Sequence, residues 1–180
     1  AVGTSSENGA CATLTAVRTF GYGTSQVDKR YTANLYSDTV RVDGKIVRLE
    51  DGEPLVYMPL AVEVNLTNSP FIKTAGARMA KYEVDRNAYN DGKSPDNDIV
   101  LFRYADVLLM KAEAKARNGE FADNELNAVR QRSGMGYRPA TLDNILAERL
   151  MELMWEGWRR NDLIRYDLFH RAYDQKTNIT

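Results

Sequence analysis

Residues 148–166 read "ERLMELMWEGWRRNDLIRY", a run in which Glu148, Arg149, Glu152, Glu156, Arg159, Arg160, Asp162 and Arg165 are interleaved with leucine, methionine and tryptophan. Either these charges act on a substrate or they form a buried polar seam that holds helices together. At about 100° per residue, Arg149, Glu152, Glu156 and Arg160 fall on one strip of a helix, beside a stripe of Leu142, Leu146, Leu150 and Leu153. Charges placed next to an apolar stripe are half-buried. Glu152 and Glu156 are like charges one turn apart, which is unfavourable on an exposed helix. A cation is therefore expected between them: Arg149 or Arg159 along the helix, or Arg103, Arg130 or Arg132 from the segment before it. The planar guanidinium fork suits this role because it bridges two carboxylates at once. A glycosidase-like pair would instead need a substrate-sized gap and one carboxyl with a raised pKa. Arginines on both sides hold the two ionised, and the seam is the preferred reading.

Toward the N-terminus the helical period continues. Leu101, Ala105, Leu108, Ala112 and Ala116 recur at helical spacing in "LFRYADVLLMKAEAKARNG", and the alanines let a neighbouring helix approach closely. Gly119 is placed for a left-handed C-terminal cap. A second helix, "NELNAVRQRS", stops at Gly134 and Gly136, completing an αα-hairpin. Thr141 is the expected N-cap of a third helix that runs into the charged stretch. Before residue 99 the pattern is different. "DTVRVDGKIVRLEDGEPLVYMPL" alternates around Asp43-Gly44 and Asp51-Gly52 and predicts a three-stranded meander, with "AVEVNL" (61–66) as a further strand. The polar stretch 87–98 marks the border between the halves.

Composition excludes several function classes. With 24 Lys+Arg against 25 Asp+Glu and a net charge of -1 over 180 residues, there is no basic field for nucleic acid or anionic lipid. One cysteine, Cys11, and one histidine, His170, rule against zinc clusters and Ser-His-Asp or Cys-His catalysis, and no metal or other cofactor is expected. No stretch has the apolar length of a membrane span, and the N-terminus has no leader pattern, so the chain reads as cut from a longer one. Asp91, Asp96 and Asp98 in "NDGKSPDND" offer oxygen ligands but lack EF-hand spacing, which favours a solvated turn over a calcium site.

Three linked segments carry a resemblance. "RYADVLLMKAEA" (103–114), "NAVRQR" (127–132) and "ERLMELMWEGWRRNDLIR" (148–165) are similar in order and spacing to the C-terminal region of the SusD/RagB family of bacterial outer-membrane nutrient-binding lipoproteins. Arg103, Tyr104, Ala105, Glu113, Asn127, Arg130, Glu148, Arg149, Glu152, Glu156, Gly157, Arg159, Asp162, Leu163 and Arg165 fall on its pattern positions. Leu150 departs from it, where a second arginine is usual. The resemblance implies a mainly α fold of tetratricopeptide-like helical hairpins with a loop-rich N-terminal half containing short β-strands. On this reading residues 1–180 form a single C-terminal domain fragment: 1–98 loop-rich, 99–170 helical and 171–180 a tail. It also implies capture of an oligosaccharide or peptide at the cell surface by a lipid-anchored protein, and its delivery to a SusC-like TonB-dependent transporter.

Sugars stack their apolar faces on aromatic rings. Tyr22, Tyr31, Tyr36, Tyr57, Phe71 and Tyr89 are the candidate ligand-binding residues, with Tyr82 a further aromatic in the same half; aromatics are also common in strands that bind nothing. Trp155 and Trp158 read as packing residues. Three functions are thus in play: surface nutrient binding, a helical-repeat protein-interaction module without small-ligand binding, and, resting only on Glu152 and Glu156, a glycan-cleaving enzyme. The first is the expectation and the last the weakest.

Overall fold

A computed structural model gives the structure of residues 10–61, 67–82 and 97–172. The chain divides into two compact units, one drawn from residues 1–14 and 34–99, the other from 15–33 and 100–180. The fold is mainly helical. Among the described residues the helices are, in chain order, α1 (Leu14–Thr19), α2 (Arg30–Asn34), α3 (Tyr104–Arg117), α4 (Asp123–Arg132), α5 (Leu142–Glu152) and α6 (Arg159–Arg165). The strands are β1 (Leu35–Tyr36), β2 (Asp38–Thr39), β3 (Arg41–Val42), β4 (Lys45–Ile46), β5 (Val56–Tyr57) and β6 (Arg78–Met79).

In the helical unit α3 packs on both α4 and α5. The shared core is Ala105, Leu109 and Ala112 of α3, Ala122, Leu126 and Val129 at and along α4, and Ile145 of α5. Alanines one turn to either side of Leu109 bring the helices close, and each buried leucine contributes about 1.5–3 kcal/mol. The turns are set by capping chemistry. After α3, the Gly119 N–H donates to Ala116 O and the Glu120 N–H to Lys115 O, with Gly119 at φ 73°. After α4, Gly134 (φ 67°) and Met135 repeat the arrangement onto Gln131 O and Arg130 O. These are Schellman motifs, which satisfy carbonyls the helix leaves open and reverse the chain. Thr141 caps α5 as expected, its hydroxyl accepting from the Asn144 N–H at 3.2 Å.

Two sequence expectations need correction here. Leu101 is 70% exposed and precedes α3, which begins only after Arg103 in an extended conformation. The buried face of α3 therefore centres on Leu109 rather than on Leu101 and Leu108. Nor does the third helix run through the charged stretch: α5 stops at Glu152, and the chain turns through Trp155 (φ 66°) and Gly157 (φ 82°) before α6. Glu156 consequently reaches Glu152 across a turn, not along a helix face.

The strand-bearing unit contains the expected Asp43-Gly44 hairpin. Both residues have positive φ (53° and 75°), as a two-residue type I′ turn requires, and β3 pairs with β4 in the register Arg41↔Ile46, Val42↔Lys45. The second expected hairpin, around Asp51-Gly52, closes through the Leu49 N–H to Glu53 O and Leu55 N–H to Val47 O bonds and the antiparallel Arg48–Pro54 bridge, but the three runs do not form one continuous sheet. Val40 changes partners, its N–H donating to Leu55 O and its C=O accepting from the Val47 N–H, so β2 pairs with β5 while β3 pairs with β4. β1 pairs with β6. Short two-stranded ladders replace one sheet. Most of the expected strand 61–66 lies outside the described residues.

Leu109→Ala should lower the stability of the chain by about 2–5 kcal/mol in denaturant unfolding, whereas Leu101→Ala should change it by no more than about 0.5 kcal/mol.

Candidate functional site

The charged stretch is built around α5, whose two sides face different partners. On one side Glu148 and Glu152, both at most 2% exposed, meet four arginines. Arg30 lies 2.7 Å from Glu148 and 2.8 Å from Glu152, while its Nε and Nη2 donate to Asp28. Arg130 donates to Glu148 at 2.8 Å, and Arg132 pairs with Glu152. Arg103 is the cation expected between the two glutamates: its Nη1 donates to Glu152 Oε1 at 2.6 Å and its Nε to Glu156 Oε2 at 2.8 Å. Its remaining nitrogen donates to the Glu152 carbonyl at the end of α5. One guanidinium thus pairs two carboxylates and satisfies a helix-terminal carbonyl.

On the other side of α5, Arg149 is 2% exposed and donates to Asp106 of α3 at 2.8 Å and to Asp162 of α6 at 2.9 Å. It serves these aspartates, not Glu152 as its sequence position suggests. Arg165 continues the network from Asp162 to Glu113, where Arg117 also donates. The Tyr166 ring lies close to both guanidiniums, 4.8 Å from Arg117 and 5.7 Å from Arg165. Asp28, Arg30, Asp106 and Asp162 had no role assigned from sequence. Asp162 stood out only as a position of the family pattern, and the arrival of Arg30 from far upstream had no local signal.

The electrostatics argue against acid-base chemistry. Burial alone would push the Glu152 carboxyl up, but hydrogen bonds from Arg103 and Arg30 outweigh it and hold the pKa below the ordinary carboxylate value. Asp28 shows the same balance, burial against Arg30, and Glu113 the same, burial against Arg165 and Arg117. No member of this set is tuned toward a proton donor at neutral pH.

The candidate aromatics separate into two groups. Tyr22 and Tyr31 belong to the helical unit, their rings 5.2 Å apart; Phe20 meets Tyr31 edge-on at 5.8 Å, and Tyr31 is 3% exposed. In the strand-bearing unit Tyr36 is opposite Arg78 in the β1–β6 register, and the Arg78 guanidinium sits 5.2 Å from the centre of the Tyr57 ring. Tyr36, Tyr57 and Arg78 thus form one cluster, with Tyr36 39% exposed. Phe71 is half-buried in the turn closed by the Ala75 N–H to Phe71 O bond. Tyr82 is exposed beneath Lys81. Tyr89, Asp91 and Asp96 lie outside the described residues. Among the described residues no group of three or more His, Cys, Asp or Glu is arranged to hold a metal, and no helix is long and apolar enough to cross a membrane.

Comparison with known proteins gives this architecture a place. The model of the SusD family matches residues 24–179. The chain belongs to the SusD family. Among its relatives is the starch-binding protein SusD of Bacteroides thetaiotaomicron, 35% identical over 104 residues that cover 53% of this chain and 18% of that protein. SusD-like protein P38 of Formosa agariphila is 37% identical over 86 residues, 39% of this chain and 17% of that protein. The chain thus covers less than a fifth of the length of these two relatives. A solved structure of surface glycan-binding protein A from Bacteroides thetaiotaomicron is 34% identical with a TM-score of 0.43, covering 49% of this chain and 21% of that one.

Glu152→Gln should cost about 1–3 kcal/mol, because it leaves the half-buried Arg30 and Arg103 guanidiniums short of a charged partner. Since Asp28, Glu113 and Glu152 have folded pKa values below their unfolded ones, the unfolded chain binds protons first on acidification. Their contribution is complete above about pH 5 and declines progressively as pH falls below about 4. Thermal unfolding measured from pH 7 to pH 3 should show this loss, with a smaller slope in the Glu152→Gln variant.

Proposed function

We propose that this chain is part of a nutrient-binding protein that captures glycan at the bacterial cell surface and delivers it to a SusC-like TonB-dependent transporter of the outer membrane. The observation that carries the reading is family membership over residues 24–179 together with a relative named as starch-binding. On this reading the protein is a lipoprotein of the outer membrane, and the transporter is its protein partner. The ligand is an oligosaccharide, with peptide as the other cargo class. On this reading it is not an enzyme: of the paired carboxylates that suggested hydrolysis, Glu152 is held below the ordinary carboxylate value by Arg103 and Arg30, and Glu156 is bound by Arg103. Tyr36 and Tyr57 beside Arg78 supply ring faces and hydrogen-bond donors of the kind that sugars use, and are the first of the candidate aromatics to test.

A second reading, a helical-repeat module that binds protein rather than sugar, is favoured by the apolar residues Phe102, Tyr104, Val107 and Met110, which are 71%, 74%, 48% and 44% exposed in and just before α3. Glycan binding separates the two readings.

Affinity electrophoresis and calorimetry on a polysaccharide panel that includes soluble starch should show binding without release of reducing ends. Sustained hydrolysis by pure protein, or a complete lack of binding, would count against the proposal. From outer membranes, the lipidated protein should co-purify with a β-barrel transporter; isolation with ligand binding intact and no barrel attached would remove the transporter from it.

A further inference from the structure

The turn that closes α3 carries a reactive pair. Asn118 and Gly119 are adjacent and exposed at the end of the helix. Asparagine followed by glycine is a sequence in which a chain modifies itself, because glycine has no Cβ to crowd its own nitrogen as that nitrogen attacks the asparagine side chain. The Gly119 nitrogen gives its proton to solvent and bonds to Asn118 Cγ, while the bond from Cγ to the side-chain nitrogen breaks and ammonia leaves. Water then opens the five-membered imide at either carbonyl. Opening at Cγ gives aspartate; opening at the backbone carbonyl gives isoaspartate, with the main chain rerouted through Cβ. Nothing is oxidised or reduced, and water is the only co-reactant.

The geometry of the folded turn opposes this reaction. Closing the ring needs Cβ and the Gly119 nitrogen on the same side of the Asn118 Cα–C bond. At the observed ψ of 0° the Asn118 nitrogen holds that place, and tetrahedral geometry puts Cβ about 120° away. Turning ψ through that angle carries the Gly119 and Glu120 N–H groups off Ala116 O (3.2 Å) and Lys115 O (2.8 Å), which undoes the Schellman cap. The Asn118 side-chain amide is also engaged, donating to Glu120 Oε1 at 3.4 Å. Ring closure and the closed cap exclude each other.

We propose that Asn118 is a spontaneous deamidation site gated by the C-terminal cap of α3, reacting when the cap opens and leaving it unable to close again in the isoaspartate form. The extra backbone carbon moves Gly119 out of register with the Lys115 and Ala116 carbonyls. In either product the new carboxylate stands near Glu120 at the negative end of the helix dipole, where a cation is favoured. The α3–α4 turn sets Leu126 and Val129 in one core with Leu109, so its modification loosens the helical unit.

Incubating the full chain at neutral pH, with peptide mapping by mass spectrometry and separate measurement of isoaspartate, tests this against the synthetic peptide KARNGEFA, residues 115–122. Mapping also separates Asn118 from the Asn8-Gly9 pair, which lies outside the described residues. The folded chain should deamidate at Asn118 more slowly than the peptide by about ten-fold or more, and urea below the unfolding midpoint should raise its rate toward that of the peptide. After incubation the parent chain should unfold at a lower temperature than when fresh. An Asn118→Gln chain, whose longer side chain does not form the five-membered ring with Gly119, should show no such fall. Deamidation of the folded chain at the peptide's rate would overturn the gate. Conversion to isoaspartate with no change in unfolding temperature would overturn the effect on the cap, and no conversion in the urea-unfolded chain would remove the site.

Discussion

A guanidinium that is 2% exposed has to be matched in place, and Arg149 is matched by Asp106 from α3 and Asp162 from α6. Removing a charge from water costs several kcal/mol even after relaxation, so any arrangement of these helices that separates Arg149 from its partners is strongly penalised. The apolar core of Leu109, Leu126 and Ile145 rewards close approach in general. The ion pairs restrict which approach is allowed. They set α5 between α3 and α6 in one rotation about its axis, with Arg149 to one side and Glu148 and Glu152 to the other.

The other network does a related job at the ends of elements. Arg103 stands at the start of α3 and closes on Glu152, Glu156 and the last carbonyl of α5. A helix that stops inside a protein leaves carbonyls without partners, and here the arginine supplies one. That explains how α5 can end at Glu152 and still be followed by a tight turn through Trp155 and Gly157. Buried ion pairs are often no more stabilising than the apolar residues that could replace them. Their contribution here is to orientation and termination, which apolar contacts specify poorly.

Local features of the helical unit were legible in the sequence because their causes are local. Gly119, Gly134 and Thr141 act within a few residues, and their capping geometry is as expected. The cation between Glu152 and Glu156 was also foreseeable, since two adjacent carboxylates in a semi-buried place demand one. What escaped has causes at a distance. The break after Glu152 depends on Arg103, and an unbroken periodicity of leucines gives no sign of it. The burial of Tyr31 depends on Phe20 and Tyr22 folding back on it, and the meeting of Tyr57 with Arg78 depends on two different strand registers. Family resemblance identified the helical segments but could not rank aromatics whose surroundings are assembled from separate ladders.

The Arg30–Glu152 pair joins positions 122 residues apart, whereas Arg130–Glu148 spans 18 and Arg149–Asp162 spans 13. This difference imposes an order on assembly. Contacts of short span form with little loss of chain entropy, so the hairpins of α3 to α6 can organise early. Until segment 15–33 arrives, Glu148 is paired with Arg130 and Glu152 with Arg103 and Arg132, and the face that Arg30 covers stays open to water. Arg30 then acts as a latch: its docking expels that water and converts a loosely associated set of hairpins into a cooperative unit.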